Sequence, residues 1–491
     1  MTRGVLIAPV SDVSDLVSSP QLEARRYWTP VEHEELAARV SYPGPFAKFS
    51  DAPIQYRRRP PLLGEHNREL LDAADTPRSN SASSPRGSAE QKPLEGLKVL
   101  DFTWAYAGPA ATRYLADYGA TLVKVESGKR IDALRAGQPF KDGELGTERS
   151  GNYANVNINK LALSLNMGVP QARQIAHRLV EWADVVVENY SPKAMKAWGM
   201  DYPKLRSINP GLIMVSSCLN GQTGPDALLA GYGTMGAALA GFGFLTGWPD
   251  RSPAAPFLAY TDYVSPKFVA AGILAALEHR RRTGRGQYID CSQAECAIHH
   301  LAPAVLDYHA NGVIARANGN ANPHYAPSGV YPIAGVDCWL ALAAPTEATW
   351  QSLCVAADRG WDRDPRFATP ERRLGNREAL DERIVDWTAG HEAQELEELL
   401  LAAGVPVHRA STSADVFADP QLEAREHLIV LDHPVCGPVP LESSRVRLSR
   451  TRATADWIAP TLGEHNEYVL EEILGLSDDE IRDLVVSGGL E

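Results

Sequence analysis

Long apolar runs, paired cysteines and a basic surplus are all missing from this 491-residue sequence. Without an apolar run long enough to cross a bilayer, or a charged-then-apolar leader, neither a membrane span nor secretion is expected. The six cysteines, Cys218, Cys291, Cys296, Cys338, Cys354 and Cys436, contain no C-x-x-C pair, so neither a zinc site nor a disulfide framework is indicated. That usage fits a reducing cytoplasm. A formal net charge of −13 is the wrong sign for a nucleic-acid footprint. Arg57-Arg58-Arg59 and Arg280-Arg281-Arg282 are short and read as solvated faces or helix ends. The G-x-G-x-x-G fingerprint is absent, so nicotinamide and flavin cofactors are not indicated. With 44% hydrophobic and 22% charged residues, the chain can bury a large core and form more than one domain.

The chain partly repeats itself. GVLIAPVSDVSDLVSSPQLEARRYW from Gly4 aligns without a gap on GVPVHRASTSADVFADPQLEAREHL from Gly404. LLGEHNREL from Leu62 aligns on TLGEHNEYVL from Thr461 after a one-residue slip. Residues 1–71 therefore read as the end of another copy of the same module, and the chain as a tandem fusion whose first module is mostly missing. Residues 72–92, rich in Ser, Ala, Pro and Gly and without periodicity, read as a flexible linker. The N-terminal copy is expected to be dispensable for chemistry but to affect assembly, either competing for the surface on which the module's own terminal segment docks or hanging free on the linker, and the linker's composition favours the second.

From Pro93 strands and helices alternate. Strands are expected at Leu97–Thr103, Thr121–Glu126, Ala183–Asn189 and Leu212–Ser217, with helices at Gly108–Tyr118 and Pro170–Trp182. Such alternation calls for an α/β fold, a mainly parallel sheet covered by helices on both faces. GVYPIAGVDCWLALAAP, from Gly329, reads as a hairpin. Asp262 stands ahead of a helix expected to open at Ser265-Pro266, whose apolar residues Phe268, Val269, Ile273, Leu274 and Leu277 recur at helical spacing. A carboxylate near the positive end of a helix tends to stay ionised, which suits a nucleophile better than a proton donor. The commoner role of such an aspartate is simply a cap.

TGRGQYID after an alanine-rich helix, with Asp262 upstream, resembles the family III coenzyme A transferases. PLEGLKVLDFTWAYAGP, YGATLVKVE, ADVVVENYSPKAMKAWG, NPGLIMVSS, TGPDALLAGYG, DPRF, GVPV and LGEHN agree in order and spacing, from Pro93 to the C-terminus. The resemblance implies a Rossmann-like, doubly wound large domain built from both ends of the module (93–310 and 409–491). It also implies a smaller inserted α+β domain (311–408) and an interlocked homodimer. The implied activity moves CoA from an acyl-CoA donor to a free carboxylic acid. Coenzyme A thioester is then a substrate, and no permanently bound cofactor or metal is implied.

The resemblance makes Asp262 the nucleophile, passing through an aspartyl anhydride and an aspartyl-CoA thioester. It puts Ala105, Tyr106 and Ala107 beside the thioester, where backbone N–H groups could serve an oxyanion. Leu165 and Met167 would line the adenine site, Asn189 and Tyr190 match an E-N-Y turn, and Tyr232 matches an aromatic near the thioester. The chain departs from the family at two phosphate-binding arginines, having Ser127 and Ala197 instead. Lys129, Arg130 and Lys196 are the candidates to compensate. An acyl-CoA racemase is the alternative within the fold, but the His-Asp pair of such relatives is missing from Gly231-Tyr232-Gly233-Thr234. A non-catalytic remnant of a fused enzyme is the third reading.

Overall fold

The computed structural model describes residues 6–74 and 91–490. The expected linker falls largely on residues 75–90, outside the described residues. The described residues form two compact units: 6–74 and 91–246 with 253–316 and 426–490, and 247–252 with 317–425.

The larger unit opens with two short helices, α1 (Val13–Val17) and α2 (Pro20–Ala24). An antiparallel pair follows, β1 (Thr29–His33) with β2 (Ala38–Tyr42), and then β3 (Ala47–Phe49). The principal sheet contains β3 with β4 (Lys98–Asp101), β5 (Thr121–Glu126), β6 (Leu161–Ser164), β7 (Val185–Glu188), β8 (Ile213–Cys218) and β9 (Tyr288–Ser292). Its seven strands run in the order β3-β9-β8-β7-β4-β5-β6, all parallel except the antiparallel β3–β9 pair.

Both faces are covered because both sets of alternating side chains are apolar. Leu100, Val123 and Val186 point to one face, where they meet Ala172, Ile175 and Leu179 of α4 (Pro170–Trp182) and the C-terminal Val469, Leu470 and Leu484. Val99, Leu122, Val185 and Val187 point to the other, against α3 (Ala107–Asp117) and, further along the chain, the Tyr260–Thr283 helix. Complete burial of such a side chain contributes roughly 1.5–3 kcal/mol. The C-terminal segment returns to the sheet edge, with Asn166 N donating to Gly489 O at 3.0 Å, so both ends of the module build this unit.

The N-terminal copy does not hang free. β3 extends the sheet as its edge strand, and Val13, Leu16, Leu22 and Tyr27 form a core with Ala240, Ala297, Ile298 and Val305, the last on α8 (Ala302–Asn311). The linker composition carried no information about this, because the docking energy resides in residues far from the linker.

The smaller unit has a three-stranded antiparallel sheet, β10 (Ser328–Pro332), β11 (Trp339–Ala343) and β12 (Val407–Arg409), in that order. Trp350, Trp361, Phe367, Leu380, Trp387 and Leu400 form its core. It runs to Arg425 rather than ending at 408, since β12 lies inside its sheet.

Candidate functional site

Chain order in the sheet reverses at β4: β5 and β6 are laid down on one side, β7, β8 and β9 on the other. In such sheets the carboxyl ends of the two strands at the reversal diverge and leave a crevice. Trp104 follows β4 there, and Asn189 and Tyr190 follow β7. Asn189 clamps the loop, accepting from Trp104 N at 3.0 Å and donating to Trp104 O at 2.8 Å. Its amide is thus used on the protein itself.

Buried charges fix the same loop. Asp132 accepts from Ala105 N at 2.8 Å and pairs with Lys124 Nζ at 3.2 Å. Asp101 pairs with Lys160 Nζ at 3.1 Å, and both side chains are fully buried. Burial pushes the Lys160 ammonium down to about 8 although Asp101 opposes it, whereas Asp101 itself, with burial outweighed by Lys160 and Lys124, lies below the usual carboxylate range. Ala105 has φ 58°, a left-handed backbone that a non-glycine residue holds only where its surroundings over-determine it.

A cavity of about 230 Å³ opens here, lined by Trp104, Lys129, Arg130, Leu165, Met167, Tyr190 and Trp198 among others. Trp104 and Tyr190 stack with ring centroids 6.0 Å apart, and the Arg130 guanidinium lies 5.5 Å from the Trp104 ring. An apolar, aromatic floor rimmed by two cations suits a nucleotide-like group bearing phosphates.

Asp262 lies within the first turn of α6 (Tyr260–Thr283), which starts five residues before the expected Ser265 and carries Pro266 inside. Tertiary bonds hold that first turn: Thr261 Oγ1 donates to Gly233 O at 3.2 Å, and Gly233 N donates to Asp262 Oδ2 at 2.9 Å. Ser265 is therefore no cap, and its hydroxyl is buried without a hydrogen-bond partner among the described residues. Of the expected apolar face, Val269 and Ile273 are buried while Leu274 is exposed.

Gly233 opens α5 (Gly233–Leu239), and only glycine fits there. A Cβ would lie 2.3 Å from Ala259 O and 2.7 Å from Asp262 N. Gln293, first residue of α7 (Gln293–Ile298), also bonds the Asp262 carboxylate. The single Thr261 hydroxyl proton is shared between Gly233 O and Gln293 Oε1, the latter at 3.1 Å, which orients the amide. Asp262 is 7% exposed, and burial pushes its carboxyl up to about 6 against the bonds from Gly233 and Gln293. The helix position alone suggested a fully ionised group, but desolvation outweighs that contribution. The Tyr263 ring packs on Tyr106 at 4.5 Å, which joins the Asp262 turn to the loop that lines the cavity.

CoA-transferase family III is the family whose pattern matches residues 1–67 and 94–466. The chain belongs to that family. It is similar to the succinyl-CoA--D-citramalate CoA-transferase of Chloroflexus aurantiacus, 32% identical over 395 residues covering 79% of this chain and 96% of the relative. It is also similar to the succinate--glutarate CoA-transferase of Agrobacterium fabrum, 32% identical over 78% of this chain and 96% of that one. Among solved structures, a CAIB/BAIF family protein from Brucella suis matches with TM-score 0.72 and 33% identity, covering 78% of this chain and 100% of that chain.

For a family III CoA-transferase, the residues expected from sequence divide clearly. Lys129, Arg130, Leu165, Met167 and Tyr190 line the cavity. Lys196 is exposed on the short helix Pro192–Ala197 and is not among the lining residues. Tyr232, 51% exposed, is the residue before α5. Ala107 is the first residue of α3 and Tyr106 its N-cap. The Ala105 N–H is already bonded to Asp132, at 2.8 Å. Sequence reasoning missed Trp104, Trp198, Asp132 and Gln293; Trp104, an aromatic directly after a strand in a quoted motif, was the one with a visible signal. Among the described residues no cluster of three or more His, Cys, Asp or Glu is arranged to hold a metal, and no helix is long and apolar enough to cross a membrane.

Proposed function

We propose that this family III CoA-transferase moves CoA from a dicarboxylic acyl-CoA to a second carboxylic acid, with Asp262 as covalent nucleophile. The carrying observation is the Asp262 carboxylate, buried, pushed up to about 6, and held by Gly233 N–H and Gln293. Asp262 attacks the donor thioester carbonyl, forming an anhydride and releasing the CoA thiolate. The thiolate attacks the aspartyl carbonyl, forming an aspartyl-CoA thioester and freeing the donor acid. The acceptor carboxylate then attacks that thioester, and the released thiolate takes the acceptor acyl group from the second anhydride, restoring Asp262. Desolvation favours attack because a poorly hydrated carboxylate is the better nucleophile, and first-turn amides of α3 receive the developing oxyanion.

The relatives named for succinyl-CoA, citramalate, succinate and glutarate support dicarboxylates as the substrate class. Cytoplasmic residence, a homodimeric assembly and descent from a tandem fusion belong to the same reading. Lys129 and Arg130 are assigned to the CoA phosphates, with Leu165 and Met167 beside the adenine.

The test is incubation with succinyl-CoA alone, followed by borohydride or hydroxylamine and peptide mass spectrometry. Modification confined to the Asp262 peptide, and absent from Asp262→Ala, is expected. Transfer to glutarate surviving in Asp262→Ala would overturn the assignment. Deuterium exchange at the α-carbon without CoA transfer would favour the racemase instead.

A further inference from the structure

The N-terminal copy sits in a built seat. Gln21 Nε2 donates to Asn220 O at 2.8 Å and to Thr223 O at 2.9 Å, and Gln21 Oε1 accepts from Asp226 N at 2.8 Å. Arg25, fully buried, bonds Asp290 at 2.8 Å and Glu295 at 2.5 and 2.9 Å. Two glycines shape the seat to these side chains: a Cβ on Gly221 would meet the Arg25 guanidinium at 2.2 Å, and one on Gly224 the Gln21 amide at 2.4 Å.

The chain carries a second segment of the same form. Helices α9 (Ser413–Phe417) and α10 (Pro420–Ala424) repeat α1 and α2 in length and order, each first helix opening with a capping box. An antiparallel pair follows in both copies, here Leu428–His433 with Gly437–Glu442. Pro-Gln-Leu-Glu-Ala-Arg is identical in α2 and α10 with their next residue, and the residue after it is left-handed in both, with φ 51° at Arg26 and at Glu426. Their environments differ: Gln21, Leu22 and Arg25 are buried, whereas Gln421 and Arg425 are exposed, Phe417 is 60% exposed, and neither α9 nor α10 buries a residue.

We propose that α9–α10 is a second key for this seat, and that it enters the seat of a second copy of this chain once that copy's own N-terminal segment leaves. The N-terminal copy thereby controls assembly as an intramolecular competitor. Its advantage in cis has two sources. Tethering gives it a high effective concentration. Its buried Val13, Leu16 and Tyr27 also fill the seat better than the corresponding Ser413, Val416 and His427, so the C-terminal key is the weaker ligand. The residues that read the polar part of the seat, Gln421 and Arg425, are retained, which confers specificity. The seat backs onto α7, which carries both Glu295 and Gln293, while Ser11 N donates to Ala238 O at 3.0 Å, near the C-terminal end of α5. Exchange of keys thus acts on the two helices that hold Asp262.

The test uses full-length chain and a fluorescein-labelled synthetic peptide spanning 410–429. Arg25→Glu sets a carboxylate against Asp290 and Glu295 and expels the N-terminal copy. The peptide is expected to bind Arg25→Glu at least tenfold more tightly than wild type, and an R425E peptide to lose at least tenfold of that affinity. If Arg25→Glu lacks a cooperative melt, Gln21→Ala, which removes three hydrogen bonds without adding charge, serves as receiver under the same criteria. Equal binding to wild type and the opened chain, or equal binding of the R425E peptide, would overturn the proposal. Neither outcome depends on the Asp262 chemistry.

Discussion

Asp262→Asn should abolish transfer and, at the same time, stabilise the larger unit. The wild-type carboxyl is pushed from 3.8 to about 6, about two units, and each unit is worth about 1.4 kcal/mol. Because its folded value lies above the unfolded one, the folded state binds more protons between these limits. Stability therefore falls as pH rises from about 4 to about 6, and the full penalty of about 3 kcal/mol applies above that. Asparagine has nearly the same shape, can still accept from Gly233 N–H, and carries no charge at any pH. Its advantage over wild type should be negligible at pH 4 and grow to roughly 3 kcal/mol at pH 8, a shift of a few degrees in Tm. Thermal melts of both proteins at the two pH values, paired with succinyl-CoA to glutarate transfer followed by mass spectrometry, measure the two effects together. A pH-independent difference, or an Asn variant melting below wild type at pH 8, would refute the claim that burial sets the state of this carboxylate.

Other outcomes follow from the same geometry. Since the ionised carboxylate attacks, kcat/KM should fall as pH drops below about 6, and a profile flat from pH 5 to 8 would count against Asp262 acting as the nucleophile. Gly233→Ala should cost at least about a hundredfold in kcat, because the added methyl group must displace Ala259 or the Asp262 turn; unaltered kinetics would mean that this turn is not held by close approach. Trp104→Ala and Arg130→Ala should each raise the KM for acyl-CoA about tenfold with a smaller change in kcat, and the reverse split would remove them from cofactor binding. A chain beginning at Gln91 should melt below the full chain, because it exposes Val305 and Ile298 and leaves the β9 edge unpaired; an identical melt would show that the N-terminal copy contributes no stability.

The sequence by itself determined the alternation of strands and helices, because Val99-Leu100 and Val185-Val186-Val187 supply both faces of a strand and leave no exposed alternative. Its resemblance to the family marked Asp262, Leu165, Met167 and Tyr190, and its alignment on itself marked the N-terminal repeat. Three matters were decided only by tertiary structure. The ionisation of Asp262 depends on burial beneath Gly233 and Gln293, residues 29 and 31 positions away, so a reading of the helix end alone gave the wrong sign for the shift. The amide of Asn189 is committed to Trp104, 85 positions away, and not to a ligand. The fate of the two repeats, one seated on Asp290 and Glu295 and one exposed, is invisible in their shared Pro-Gln-Leu-Glu-Ala-Arg, because an arginine has the same sequence signature whether it meets water or two buried carboxylates. Periodicity reports which face of an element is apolar; only the folded chain brings together the charges and donors that set what each residue does.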